Sequence, residues 1–164
     1  MAVYNVHERL LPVGEAAAGA LLDGLSGPRD LLWPHTDWPA MELDGPLAAG
    51  ARGGHGPIRY TVIGYAPGRW VRLGFTGPRG FHGFHEYTVH PAGEHETVLR
   101  HTLVMRTRGA ARLSWPLCFR PLHDALLEDS LDRAEREVTG TVAAPARWSP
   151  YVRLLRRIIR LILA

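Results

Sequence analysis

In residues 3–11 and 58–107 apolar and polar positions alternate with a period of two; beyond 107 the apolar residues recur at helical spacing. Val3–Leu11 alternates, is rich in β-branched residues and stops at Pro12, which predicts a strand. Glu15 to Leu25 is alanine- and leucine-rich with Leu21, Leu22 and Leu25 to one side, which predicts a short helix ending at Gly24–Gly27. Residues 26–46 carry Pro28, Pro34, Pro39 and Pro46 beside Trp33 and Trp38, a segment expected to be irregular and held by its large aromatics. Four strands follow: Ile58–Tyr65, Trp70–Thr76, Phe81–His90 and His95–Thr107. The turns between them are Ala66-Pro-Gly-Arg69, Gly77-Pro-Arg-Gly80 and Pro91-Ala-Gly-Glu94. No long helix interrupts these strands, so the sheet is predicted to be antiparallel. Ser114 then caps a long helix reaching about Gly140, with Leu127, Leu131, Ala134 and Val138 as its apolar stripe. Glu128, Asp129, Asp132, Arg133, Glu135 and Arg136 fall on the face assigned to water, and Pro121 marks a kink or the true start.

The C-terminal pattern stands apart. Arg153, Arg156, Arg157 and Arg160 recur at i, i+3, i+4 and i+7, and nearly every other residue from Tyr151 to Leu163 is large and apolar. Such a helix must bury its apolar surface. It is too short and too charged to span a bilayer, which needs about 20 apolar residues. The organisation expected is therefore a domain over residues 1–140, a linker over 141–149 and an amphipathic helix over 150–164 that docks outside the domain's own cavity. A second copy of the chain is the first partner considered, and an anionic membrane surface the second.

Composition narrows the class. A length of 164 residues, 46% hydrophobic and 21% charged, suits one globular domain. Arginine supplies every one of the 19 basic side chains, a bias that points to a high-GC bacterial genome more than to a basic binding surface. The net charge of +3, with no aromatic-interleaved basic run in the body, argues against nucleic acid. Cys118 is alone, so neither a disulfide framework nor a thiolate metal site is available, and it reads as an inert small apolar residue. The N-terminus shows no signal-peptide pattern, and a cytoplasmic location is expected.

The order of strand, short helix, antiparallel meander and long helix resembles the START-like superfamily (SRPBCC), which includes polyketide cyclases, lipid-transfer domains and birch-pollen-allergen-like proteins. The resemblance rests on the element order over residues 3–140 and on three local stretches. These are Leu11-Pro12 before the first helix, Arg59-Tyr-Thr-Val-Ile-Gly-Tyr-Ala-Pro-Gly-Arg69, and Leu122-His-Asp-Ala-Leu-Leu-Glu-Asp129. It implies an α+β helix-grip fold, a curved antiparallel sheet wrapped round the C-terminal helix and enclosing a cavity for an apolar molecule. Activities in the superfamily run from passive carrier to cyclase or dehydratase, so the resemblance leaves the activity open.

The candidate chemistry comes from nine histidines sorted by strand parity. Phe81, His85, Tyr87 and Val89 share one face of their strand, and Thr97, Leu99, His101, Leu103 and Met105 share one face of the next. His85 and His101 are thus expected inside and close across one hairpin. Two imidazoles desolvated in an apolar pocket would be neutral bases near pH 7, suited to removing a proton from carbon beside a carbonyl. Tyr60, Phe75, Tyr87 and Met105, with Trp70 and with His123 on the long helix, are the expected ligand-binding wall. Packing as ordinary core is the competing reading for each. Gly53-Gly-His-Gly56 lacks a following lysine and helix, so a flexible turn is expected rather than a phosphate nest. Asp124 and Glu128 are expected on a solvated face. No His-Glu-x-x-His pair, phosphate loop or nucleophile elbow is present, and neither a metal nor a cofactor is expected. Three functions remain: a carrier of an apolar or aromatic molecule, a polyketide cyclase or dehydratase with a histidine base, and an accessory protein acting through its last helix.

Overall fold

The computed structural model describes residues 1–163. Seven strands form one sheet in the order β1-β7-β6-β5-β4-β3-β2, and every neighbouring pair is antiparallel. The strands are β1 (Ala2–Leu11), β2 (Glu42–Leu43), β3 (Arg52–His55), β4 (Ile58–Ala66), β5 (Trp70–Gly77), β6 (Phe81–Pro91) and β7 (Thr97–Thr107). Helix α1 spans Glu15–Asp23. A continuous helical run then follows the sheet: α2 (Ala111–Ser114), one π-helical turn (Trp115–Phe119) and α3 (Arg120–Thr139). Helix α4 covers Pro150–Leu163.

The strand parity read from the sequence holds in both long strands. Phe81, His85, Tyr87 and Val89 are buried on β6, as are Thr97, Leu99, His101, Leu103 and Met105 on β7. Register shifts in the β4–β5 pairing, between Arg59 and Tyr60 and between Val62 and Gly64, bend that hairpin, as extra residues in a ladder do. The sheet thereby curls towards α3, whose Leu127, Leu131 and Ala134 face it.

Three local readings are corrected. The long helix begins at Ala111, and Pro116 and Pro121 fall in the early turns of the π and α3 segments, where a missing N–H costs little. Gly53-Gly-His-Gly56 is mostly strand β3 rather than a free turn. Its glycines serve close approach: a Cβ on Gly53 would lie 1.9 Å from the Glu42 carbonyl oxygen. Part of the α3 face assigned to water is covered instead by β1 and by residues 141–149, which bury Asp132 and Glu135, while Arg136 stays exposed as expected.

Another glycine sets how α1 seats on the sheet. A Cβ on Gly19 would stand 2.6 Å from the Gly68 carbonyl oxygen and 2.7 Å from its Cα. Gly19→Ala must push α1 away from the β4–β5 turn, and a loss of roughly 1–3 kcal/mol is expected, as for other overpacked sites. Urea denaturation measures it; an unchanged midpoint would show that the contact yields freely.

Candidate functional site

Between the sheet and α3 lies a cavity of about 750 Å³. Its walls are apolar: Phe75 and Leu103 from the sheet, Trp115 and Phe119 from the π turn, Leu122, Leu126 and Leu127 from α3. The π turn matters because it widens the helical run where it meets the cavity, presenting Trp115, Cys118 and Phe119 to it together.

Four imidazoles interrupt this apolar wall: His55, His85, His101 and His123. His85 Nδ1 and His101 Nε2 are 3.1 Å apart, a hydrogen bond across the β6–β7 hairpin. The His85 ring stacks on Phe75 with centroids 5.1 Å apart and meets Tyr60 edge-on at 5.2 Å. The His101 ring lies 5.2 Å from that of His123. Burial drives the pKa of His85 and His101 well below the ordinary histidine value, and the charges of neighbouring imidazoles add to it. Burial likewise pushes His55 down to about 3 and lowers His123. All four are therefore neutral near pH 7. His85 Nε2, His101 Nδ1, His123 Nε2 and the Tyr60 hydroxyl are buried with no hydrogen-bond partner among the described residues.

The dyad has a useful property. One of its two inner nitrogens must carry the shared proton, and neutral imidazole has one N–H. If His85 Nδ1 donates, His85 Nε2 is an acceptor and His101 Nδ1 a donor; if His101 Nε2 donates, the roles reverse. Either way the pair presents one donor and one acceptor.

Behind His101 sits a charged cluster. His7 pairs in register with His101 on the neighbouring strand. Its Nδ1 lies 2.7 Å from Glu128 Oε1 and its Nε2 3.2 Å from Asp124 Oδ1. Burial alone would lower the His7 pKa, but these two carboxylates raise it. Asp124 is raised by burial and lowered more strongly by hydrogen bonds from His123 and His7, ending below the ordinary carboxylate value. Asp124 and Glu128 are thus drawn under β1, correcting the solvated face expected for them. Ligand atoms of His7, His123 and Asp124 lie within 4.8 Å of one another, close enough for a cation. Asp124 Oδ1 already serves both histidines and the Asn5 amide, so hydrogen bonding accounts for the cluster without one.

The mouth is framed by residues from three distant stretches. Asp129 Oδ2 accepts from the indole N–H of both Trp38 and Trp148, each at 2.7 Å. The Arg156 guanidinium sits over both rings, 4.1 Å from the centroid of Trp38 and 3.8 Å from that of Trp148. It also donates to the Asp37 carbonyl. Arg156 and Ile159 therefore line the cavity, with Val152 buried on the same face of α4. This corrects the expectation that the last helix docks outside the cavity: its inner face forms part of the cavity wall. The arginine stripe splits, Arg156 turning in while Arg153 and Arg157 stay exposed.

Of the residues singled out in sequence, His85, His101, Phe75 and His123 lie in the cavity wall. Tyr60, Tyr87 and Met105 are buried just outside the lining, as a supporting layer. Tyr87 donates to or accepts from Ser130 Oγ at 2.8 Å, which ties β6 to α3. Trp70 is on the outer face, since it has the opposite parity to Phe75 on the same strand, and its ring covers Gly64. Sequence reasoning missed His55, whose glycine neighbours disguised a strand. It also missed Arg156, which it read only as one member of a regular arginine stripe.

No protein-family model matches the chain, and no curated protein matches it in sequence. Solved structures do match. Norcoclaurine synthase from Thalictrum flavum, a point mutant with a transition-state analogue, superposes with a TM-score of 0.64 at 14% identity, covering 85% of this chain and 96% of that one. CalU16 from Micromonospora echinospora gives 0.61 at 14%, covering 96% and 84%. A Thermobifida fusca protein gives 0.61 at 14%, covering 81% and 93%. The chain has the START-like helix-grip fold. At these identities the likeness establishes architecture alone. In this helix-grip chain the space between the gripping sheet and α3 is the cavity described above. Norcoclaurine synthase has also been solved with dopamine and hydroxybenzaldehyde.

Proposed function

We propose that the protein binds one small apolar or aromatic molecule bearing a carbonyl or hydroxyl group in this cavity. The carrying observation is a space of about 750 Å³ whose apolar wall is broken by neutral, incompletely bonded imidazoles. A volume of that order suits a ligand of drug-like size. Buried polar atoms without partners are costly, so a ligand oxygen at His85, His101 or His123 would gain more than the same oxygen in water. The aromatic ligands of norcoclaurine synthase, held in the same architecture, agree with that chemistry.

A second reading is favoured by the His85–His101 pair. A dyad with one acceptor and one donor can remove a proton from carbon beside a carbonyl while a hydrogen bond steadies the oxygen, which is the requirement of a cyclase or dehydratase. The substrate carbon loses the proton to the acceptor imidazole, and the enolate oxygen keeps the electron pair.

Native mass spectrometry of freshly purified protein tests the binding reading: a single small molecule travelling with the chain is expected. An aromatic reporter such as anilinonaphthalene sulfonate should bind one to one, and Leu126→Trp, which fills the cavity, should weaken it at least about tenfold. Reporter binding untouched by Leu126→Trp would overturn the assignment of the site. For the catalytic reading, His85→Ala and His101→Ala are each expected to slow turnover by roughly 10²–10⁴ with ligand binding retained. Parallel losses of binding and melting temperature would instead mark the pair as core packing.

A further inference from the structure

We infer that the outer face of α4 and the adjoining π turn form a docking surface for an anionic membrane. Leu113, Leu117, Tyr151, Leu154, Ile158 and Leu161 are all exposed, Leu161 to 77% and Leu113 to 69%. Tyr151, Leu154, Ile158 and Leu161 recur at spacings of three, four and three, which places them along one side of α4. This is the side opposite buried Val152 and the cavity-lining Arg156 and Ile159. The Tyr151 hydroxyl donates to the Leu117 carbonyl oxygen at 2.6 Å, joining the two segments into one patch. Clustered exposed leucines of this kind mark an interaction site.

Charge identifies the partner. Residues 108–123 carry three arginines and residues 140–164 carry five, and neither segment contains an aspartate or glutamate. Arg112, Arg147, Arg153 and Arg157 are exposed around the apolar patch; Arg120 leans towards Asp124, 3.7 Å away. A second copy of the chain fits poorly. A two-fold interface brings a patch against itself, so the arginines would meet arginines with no acid to answer them. A nucleic-acid backbone would answer the charge and leave the leucines in water. An anionic lipid surface takes both, apolar side chains entering the acyl boundary while the guanidinium groups meet the headgroups. No helix among the described residues is long and apolar enough to cross a membrane, so the contact is peripheral. The surface adjoins the cavity mouth, and the inference holds whether the cavity carries its ligand or transforms it.

The test is cosedimentation of the full chain with vesicles of phosphatidylcholine alone or mixed with phosphatidylglycerol. Binding to the mixed vesicles only, weakened by added salt, is expected. Arg153→Gln with Arg157→Gln should lower the affinity roughly 25-fold, about fivefold for each charge removed near the surface. Leu117→Ser with Leu154→Ser and Ile158→Ser should abolish binding while leaving the circular dichroism and reporter binding unchanged, since these side chains are exposed. The inference is overturned if the wild type ignores anionic vesicles or binds neutral ones equally. It is equally overturned if the wild type sediments as a dimer that the serine variant dissociates.

Discussion

Arg9→Ala is expected to melt roughly 10 °C below the wild type, because loss of one partner from a buried ion pair costs about 3–5 kcal/mol and a chain of this size shifts by about 2–4 °C per kcal/mol. Arg9 reaches from β1 to α3, donating to Asp132 at 2.8 Å, to Glu128 at 3.3 Å and to Glu135. Asp132 and Glu135 are among the few buried charged residues, and Arg9 is the cation that neutralises them. The same carboxylates accept the backbone N–H groups of Ala146 at 2.7 Å and Ala143 at 2.8 Å. They therefore hold both the first strand and the segment that delivers α4 to the cavity mouth. Alanine at position 9 leaves two carboxylates buried without a counter-charge. Calorimetry on Arg9→Ala measures the loss, and Arg9→Met combined with Asp132→Asn and Glu135→Gln should recover most of it. An Arg9→Ala protein that melts with the wild type would show that water reaches the cluster.

Stability is expected to fall steeply as pH drops below about 6.5. His55, His85, His101 and His123 have folded-state pKa values below the ordinary 6.5, so the unfolded chain takes up protons that the folded chain refuses. The native state is thus weakened progressively from pH 6.5 down towards the folded values. Each such group contributes up to about 1.4 kcal/mol per pH unit. His7 acts in the opposite sense: its pKa is raised by Asp124 and Glu128, so its stabilisation is fully present below 6.5 and is lost as pH rises through the folded value. Its pH dependence lies above 6.5, so it leaves the slope set by the other four below that value unchanged. Asp124, held below its ordinary value, supplies stability above about 4 that disappears only in stronger acid. Urea midpoints between pH 7 and pH 5 measure the sum. A flat profile would mean that the imidazoles are hydrated in the native state, and His101→Phe should flatten the slope by about one proton.

Strand parity carried most of what was readable about the site. Period-two alternation places His85 and His101 on buried faces because a side chain on a strand has only two directions, and one of them was the more apolar. The same rule failed for Trp70 only where parity was not applied, since Trp70 and Phe75 cannot share a face. Helical spacing was less decisive. Leu127, Leu131 and Ala134 lie on the gripped face as their period requires, yet Asp132 and Glu135 are buried too, because two further segments pack on the opposite side. A polar position on a helix means solvent only if nothing of complementary charge covers it, and Arg9 is more than 120 residues away in sequence.

Local sequence therefore determined five of the seven strands (not β2 and β3), their antiparallel connection, the long helix that follows them and the inward direction of the two central histidines. Each of these depends on periodicity and turn chemistry within a few residues. Tertiary structure alone decided that His55 joins those histidines, that Trp38, Trp148 and Asp129 meet at the mouth, and that Arg156 turns inward against the rings. Those contacts link residues up to 119 positions apart, as between Asp37 and Arg156. An arginine spaced evenly among other arginines looks solvent-facing until two indoles and a carbonyl, brought together by the closed fold, offer it a better place than water.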